Sequence, residues 1–376
     1  MRRVRMIGRD SLKGYLLEEI LAYLIRNTGY TLLVDPRQDP RELARKGNGL
    51  VVKGRGAVHQ VDVLGQLAWV PAFTFPLRVF VEAKCRTTRT GIAEVRNAVG
   101  VLDDINQNYS PVREGKPLLQ RYTYRYVLFS TSGFTSTAAD MGLAHQISLV
   151  DLSGPSFQDL RDLLNTLADW ILTNLINNNE SDEESDRQPE EHIHGKESYS
   201  LVRLLRMHLR TVLGTWPLGQ ALKGQEIEYL WKRIPKLSEF NRIIINQTRR
   251  FGEFFVGMAN GPFLLLFRSE DSESFLRFSD ESPVHKVAIT WTRQDGLERQ
   301  WTIKPLNNPE AYSLSFGIPK TLGDWIFDDE ALAVGRALDV KKQFMSNITI
   351  YRFDQEQDKI IRLIFDINEM ENEGSL

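Results

Sequence analysis

The chain has 376 residues, 42% hydrophobic and 26% charged, enough for two domains of ordinary globular composition. No apolar run approaches the roughly 18 residues of a membrane span, and the opening MRRVRMIGRDSLKG lacks the apolar stretch of a secretory signal, so neither a membrane-embedded nor a secreted protein is expected. The formal net charge of −2 conceals an asymmetry, because residues 1–150 hold 21 Lys/Arg against 13 Asp/Glu and the remainder hold 26 against 36. A basic front half is the footprint of a phosphate-contacting surface, although a merely solvated surface accounts for it equally well. The single cysteine, Cys85, excludes an intrachain disulfide and suits a reducing compartment, so a cytoplasmic protein is expected.

SLKGYLLEEILAYLIRNTGY (11–30) predicts a helix with apolar residues at helical spacing, Ser11 as its N-cap and Gly29 closing it. A short strand follows at 30–35. Residues 49–70 read as a pair of strands broken around Gly54–Gly56, and 76–84 as a third strand. Then come a helix at 90–109, a strand at 125–132, a short helix at 136–146, a strand at 147–151 and a strongly amphipathic helix at 156–176. Helices alternating with short apolar strands predict an α/β core, a mixed sheet flanked by helices, over residues 1–176.

NNNESDEESDRQPEEHIHGKES (177–198) is polar and acidic and cannot bury enough surface to order itself, so it reads as a flexible linker. His192 and His194 within it read as solvated side chains. Beyond it, residues 199–376 predict a second, mainly antiparallel β-rich domain, a sandwich or barrel, entered by a helix at 201–214. Hairpin signals stand at Asn260–Gly261 and Asp295–Gly296, a further strand pair lies in 347–367, and a helix is expected at about 328–343. Trp291, Trp301 and Trp325 are expected in its core, base stacking being the less favoured alternative.

The chemistry concentrates in two stretches. In VFVEAKC (79–85), strand alternation puts Phe80, Glu82 and Lys84 on one face and Val81, Ala83 and Cys85 on the other. GRGAVHQVDVLG (54–65) carries Asp62 on the preceding strand, and adjacent strands could place it next to Glu82. Two carboxylates that close repel each other, and a divalent cation relieves the repulsion. Oxygen ligands favour Mg2+ or Mn2+, and the lack of a Cys/His cluster argues against zinc. Lys84 beside such a cation could orient or deprotonate a water. The plainer reading of the same residues is a strand carrying a Glu–Lys ion pair.

The order helix, strand, Asp-bearing strand, ExK strand, helix, strand resembles the PD-(D/E)xK nuclease superfamily. Residues 11–152 resemble its Mrr-type restriction endonuclease branch in KGYLLEEILAYLIRNTGY, GRGAVHQVDVLG, VFVEAKC and VLFSTSGFTSTAADMGLAHQISLVD. Gly14 and Glu18 match the Gly-x-x-x-Glu start of that family's first helix. Glu19 adjoins Glu18, and helical phase does not separate the two. The resemblance departs in two places: Asp62 follows Gln60–Val61 in place of the Pro-Asp that names the superfamily, and several relatives carry Gln where Glu82 stands. It implies a restriction-endonuclease-like core in which Asp62 and Glu82 hold Mg2+ or Mn2+, Lys84 is the catalytic lysine and Glu18 adds a metal or water contact. It further implies phosphodiester hydrolysis of nucleic acid, double-stranded DNA before RNA, in a restriction or antiphage role and as a homodimer. A nuclease-like fold that only binds nucleic acid or a partner is the competing reading.

Around this site, Arg55 between two glycines, His59, Gln60, Arg86 and Arg89 are candidate substrate contacts, with Arg96 continuing the row. A simple hairpin turn and a solvated helix face explain the same residues as well. Ser130, Thr131 and Ser132 have no His–Asp partner nearby in sequence and are not read as nucleophiles, and His145 is read as a core or surface histidine. The acidic second domain carries no nameable chemistry; contact with a partner protein or a small activating ligand suits it better than DNA.

Overall fold

A computed structural model of the chain describes residues 8–47, 49–70, 73–108, 121–154, 157–175, 201–215, 222, 224–251, 254–260, 264–269, 271–292, 300–353 and 358–365. The expected linker with His192 and His194, Gly261, and the Asp295–Gly296 turn lie outside these residues. The first helix, α1 (Arg9–Asn27), buries Leu12, Leu16, Leu17, Ile20, Leu21 and Leu24, a stripe at helical spacing. Ser11 does not cap it. The helix begins earlier, at Gly8, whose side chain has nothing to offer the first amides. Gly29 does close it, with φ +87°, and an added Cβ there would fall 1.6 Å from the Tyr351 ring.

The strands β1 (Tyr30–Leu32), β2 (Leu43–Lys46), β3 (Gly49–Lys53), β4 (Val58–Val61), β5 (Val63–Leu67) and β6 (Leu77–Lys84) follow, then α2 (Ile92–Asn106) and β7 (Thr123–Ser130). After these come α3 (Ser136–Ala144), β8 (Ser148–Asp151) and α4 (Gln158–Asn174). A mixed sheet runs in the order β1-β5-β6-β7-β8. Its β1/β5 and β5/β6 pairs are antiparallel, and β6/β7 and β7/β8 are parallel. Alternation sorts the side chains of β6. Val79 and Val81 join the cluster of α1 and α4, whereas Phe80 faces Val95, Ala98 and Val101 of α2. A second, smaller sheet, β2-β3-β4, closes the α2 side with Leu43, Val52 and Val61.

Three helices come next: α5 (Leu201–Val212), α6 (Gly224–Arg233) and α7 (Leu237–Phe251). They stand after the acidic stretch in sequence but pack into the first core. Leu204, Leu205, Leu209, Leu230, Phe240 and Ile244 belong to the same apolar cluster as α1 and α4. Of the three, only α5 was expected.

The β-rich part begins with β9 (Phe254–Met258), β10 (Leu264–Ser269), α8 (Ser272–Glu281), β11 (Val284–Thr292), β12 (Gln300–Pro305) and β13 (Leu314–Phe316). It ends with α9 (Lys320–Phe327), α10 (Ala333–Phe344), β14 (Asn347–Phe353) and β15 (Asp358–Phe365). Its strands form a closed barrel ordered β10-β13-β12-β11-β15-β14-β9. Every neighbouring pair is antiparallel except β11 and β15. Closure leaves no strand edge, and Phe267, Ile289, Trp301, Ile303, Phe316, Ile348 and Leu363 fill the interior. Trp301 is fully buried and Trp291 packs at the core's margin, but Trp325 is 44% exposed. On α9 the following residue, Ile326, points inward, whereas Trp325 is turned to the surface, where the Arg336 guanidinium lies 5.2 Å from the ring. Among the described residues no helix is long and apolar enough to cross a membrane.

Candidate functional site

The β5/β6 ladder runs from Gln66↔Arg78 to Val63↔Val81 and stops where the chain bends at Asp62 into β4, which pairs with β3. The Ala83 N–H lies just past the last paired residue, and Asp62 Oδ2 accepts it at 2.9 Å. That bond brings the Asp62 carboxylate within the influence of both Glu82 and Lys84. Glu82 and Lys84 share a face of β6, and Lys84 Nζ forms an ion pair with Glu82 Oε1. The other oxygen, Glu82 Oε2, accepts from the Tyr126 hydroxyl. Parallel register puts Tyr126 of β7 beside Phe80, and the two rings stack with centroids 4.9 Å apart, which aims the hydroxyl at Glu82. Burial and the negative charges of Glu82 and Asp62 push the Tyr126 hydroxyl far above its ordinary range, so it remains a proton donor.

The first helix supplies Glu18 and Glu19, whose roles the structure separates. Glu19 is 1% exposed and lies among arginines of α5. Arg206 Nε donates to Glu19 Oε1 at 2.7 Å, and Arg210 donates from Nε to Oε2 at 2.7 Å and from Nη2 to Oε1 at 2.9 Å. Burial alone would raise this carboxyl, but Arg210 and Arg206 together hold it below the usual range. Glu18 shares Arg206 with it. Its Oε2 lies 2.6 Å from Arg206 Nη2, and its charge and that of Asp62 act on each other. Burial pushes the Glu18 carboxyl up to about 8 against the pull of Arg206, with Asp62 and Glu19 adding to the rise. Asp62 is raised as well, by burial and by Glu82, while the Ala83 amide and Lys84 oppose the shift.

Asp62 of the β4–β5 bend thus interacts electrostatically with Glu18 of α1 and with Glu82 of β6. Among the described residues no three His, Cys, Asp or Glu side chains form a ready-made metal cage. The donor set nevertheless suits a hard divalent cation. All three groups are carboxylates, and two of them are raised by burial with like charge adding to it, a repulsion that such a cation would relieve. Glu18, Asp62 and Glu82 are the residues that would hold it.

Several of the candidate substrate contacts have protein partners of their own. Asp104 of α2 accepts from the amides of Gly56 and Ala57 at 2.8 and 3.2 Å, and His59 Nε2 lies 2.7 Å from Asp104 Oδ2. Arg55 reaches Gln107 Oε1 at 3.2 Å. These contacts engage the Gly-Arg-Gly turn and His59 with α2. Gln60 is exposed on β4, opposite Val51. Arg86 is exposed and ion-paired with Glu94 at 2.6 Å, and Arg89 and Arg96 are exposed. The buried Ser130 hydroxyl is bonded to Thr90 and to the Gly133 carbonyl, a stitch between β7 and the 88–90 turn, and His145 sits at the surface as the C-cap of α3.

Three participants were not legible beforehand. Arg206 and Arg210 stand four residues apart and so share a face of α5, a spacing visible in LVRLLRMHLR, but nothing in the sequence says which acids they meet. Tyr126 could have been found from the register of two parallel strands, had their pairing been known.

No family model matches the chain, and no curated protein matches it. Among solved structures, the crystal structure of a protein of unknown function, AF1548, matches with a TM-score of 0.25 and 13% identity, covering 38% of this chain and 59% of that one. The match spans less than two thirds of that protein, and a likeness of this degree carries no argument about either molecule.

Proposed function

We propose that the chain is a Mg2+- or Mn2+-dependent endonuclease that hydrolyses phosphodiester bonds of double-stranded DNA, built on a restriction-endonuclease-like core and serving in restriction or antiphage defence. The observation that carries this reading is the Asp62 Oδ2–Ala83 N bond, which seats one carboxylate beside the ExK pair of β6 with Glu18 facing it from α1. The resemblance of residues 11–152 to Mrr-type nucleases supports the same assignment. A divalent cation held by Glu18, Asp62 and Glu82 would supply Lewis-acid activation of water and neutralise charge at phosphorus. Lys84, tethered to Glu82, presents a cationic donor at the mouth of the site, where it can hold a phosphate oxygen or the attacking water. Tyr126 keeps Glu82 oriented without titrating. Two copies acting together would cut both strands.

A second reading has its own observation. Arg206 already neutralises part of the acidic charge, and no metal cage is preassembled among the described residues, as suits a fold that binds nucleic acid or a partner without cleaving it. A plasmid-nicking assay with and without Mg2+, run beside a labelled RNA, separates these. Mg2+-dependent nicking is expected, and Asp62→Asn, which keeps an acceptor for Ala83 N–H, should lose more than about 100-fold in rate, since even groups one shell removed from a metal cost about 10–100-fold. Full activity in Asp62→Asn would remove the site assignment. Cleavage of the RNA alone would move the substrate to RNA.

A further inference from the structure

One cation in the acidic site comes from outside the elements that build it. Arg206 lies on α5, and its guanidinium bridges two acids of α1: Nε holds Glu19 at 2.7 Å and Nη2 holds Glu18 at 2.6 Å. The two ends of this bridge differ. Glu19 is fully buried and has a second arginine, Arg210, with three hydrogen bonds in all across its two oxygens. Glu18 has Arg206 as its ion-pair partner and feels the charge of Asp62. The Glu19 end is therefore an anchor, and the Glu18 end reaches the groups that would bind a cation.

We infer that Arg206 is an internal counter-ion of this site, which competes with a divalent cation for Glu18 so that cation binding loosens α5 from α1. The inference rests on the nuclease reading. A hard cation seeks the carboxylate oxygen that Arg206 now holds, and a guanidinium left beside it would be repelled. Arg210 bonds Glu19 and keeps α5 attached, so the loosening is a partial opening about Glu19. Tyr15, whose ring centre lies 5.3 Å from the Arg206 guanidinium, offers a place for the released side chain. Coupling of this kind is reciprocal: whatever draws α5 away from α1 raises the affinity of the site for its cation. The helices α5 to α7 share the first core and run directly into β9 of the barrel, so contacts made by the barrel have a physical route to the acidic site.

Hydrogen–deuterium exchange of the full chain, with and without saturating Mn2+, tests this, with calorimetric titration of Mn2+ alongside. In the parent protein, Mn2+ should bind and the amides of 201–212 should exchange about fivefold faster or more, the lower end of ordinary coupling between sites. In Glu18→Gln the Mn2+-induced change in α5 should disappear. Binding of Mn2+ with unchanged or slower exchange in α5 overturns the competition and leaves the metal site standing. Acceleration that persists undiminished in Glu18→Gln also overturns it, since the cation would then act elsewhere. No Mn2+ binding at all overturns both the competition and the nuclease reading beneath it.

Discussion

Replacing Glu19 with glutamine leaves the outline of α1 almost unchanged and takes one charge from a side chain that is 1% exposed. In the native protein its oxygens accept from Arg206 and Arg210 at 2.7, 2.7 and 2.9 Å. Those arginine side chains are themselves only 20% and 19% exposed, so solvent offers each little compensation for the lost charge. Breaking a buried ion pair from one side costs about 3–5 kcal/mol, because the remaining charge stays desolvated and unmatched. The glutamine carbonyl still accepts one bond, which places Glu19→Gln near the lower end, at about 3 kcal/mol. The Arg9–Asp169 pair is the natural control, having two bonds at 2.6 and 2.8 Å but side chains 45% and 55% exposed. Solvent screening leaves such an exposed pair little to contribute, so Asp169→Asn should be nearly silent. Urea unfolding of the parent and both variants, followed by far-ultraviolet circular dichroism, measures the difference. If Glu19→Gln lies within about 1 kcal/mol of the parent, the reading of Glu19 as a buried anchor is wrong.

Other expectations follow from individual contacts. Glu18, raised to about 8 from an ordinary 4.5, favours the folded state fully below pH 4.5, and that contribution drains away as pH rises toward 8, at about 1.4 kcal/mol per pH unit. Glu18→Gln should therefore flatten the fall in stability between pH 5 and 8 seen in the parent, and denaturant midpoints across that range would show an unchanged slope if burial does not govern this carboxyl. Tyr126→Phe keeps the stack on Phe80 and deletes the hydroxyl that holds Glu82, so Mn2+ affinity should weaken by about 10-fold while the far-ultraviolet spectrum stays that of the parent. Equal Mn2+ affinity in the two proteins would remove Tyr126 from the site. Gly29→Ala places a methyl 1.6 Å from the Tyr351 ring at a φ of +87°, and should cost about 2–4 kcal/mol in thermal unfolding. A silent Gly29→Ala would mean that β14 does not press on the end of α1.

Sequence reasoning reached as far as local periodicity reaches. Alternation along β6 correctly sorted Phe80 and Glu82 from Val81, because the two faces of that strand meet different helices. Asp62, expected on a strand, stands instead at the bend between β4 and β5 and reaches β6 through the Ala83 amide, a break that alternation could not place. What periodicity could not supply was the partner of a charge: Arg206 and Arg210 meet Glu19 across 187 and 191 residues of sequence. The same limit explains His59, drawn to Asp104 of a helix 45 residues away. In the barrel, turn signals located strand pairs, but the parallel β11/β15 contact that helps close it joins strands separated by α9, α10 and three other strands. The amphipathic pattern of α6 and α7 was passed over, and the break between them falls at Pro235.

The apolar cluster that α5 to α7 share with α1 and α4 bears on how this molecule can be taken apart. The stretch between 176 and 200, judged by composition, is where one would divide the chain for separate expression. Yet Leu204, Leu205, Leu209 and Phe240 on one side of that division rest on Leu16, Ile20 and Leu164 on the other. A polypeptide severed there should elute as a single particle of two fragments, and either fragment made alone would present a bare oily face and a set of arginines or glutamates without their opposites. The covalent join and the physical seam of this protein are in different places.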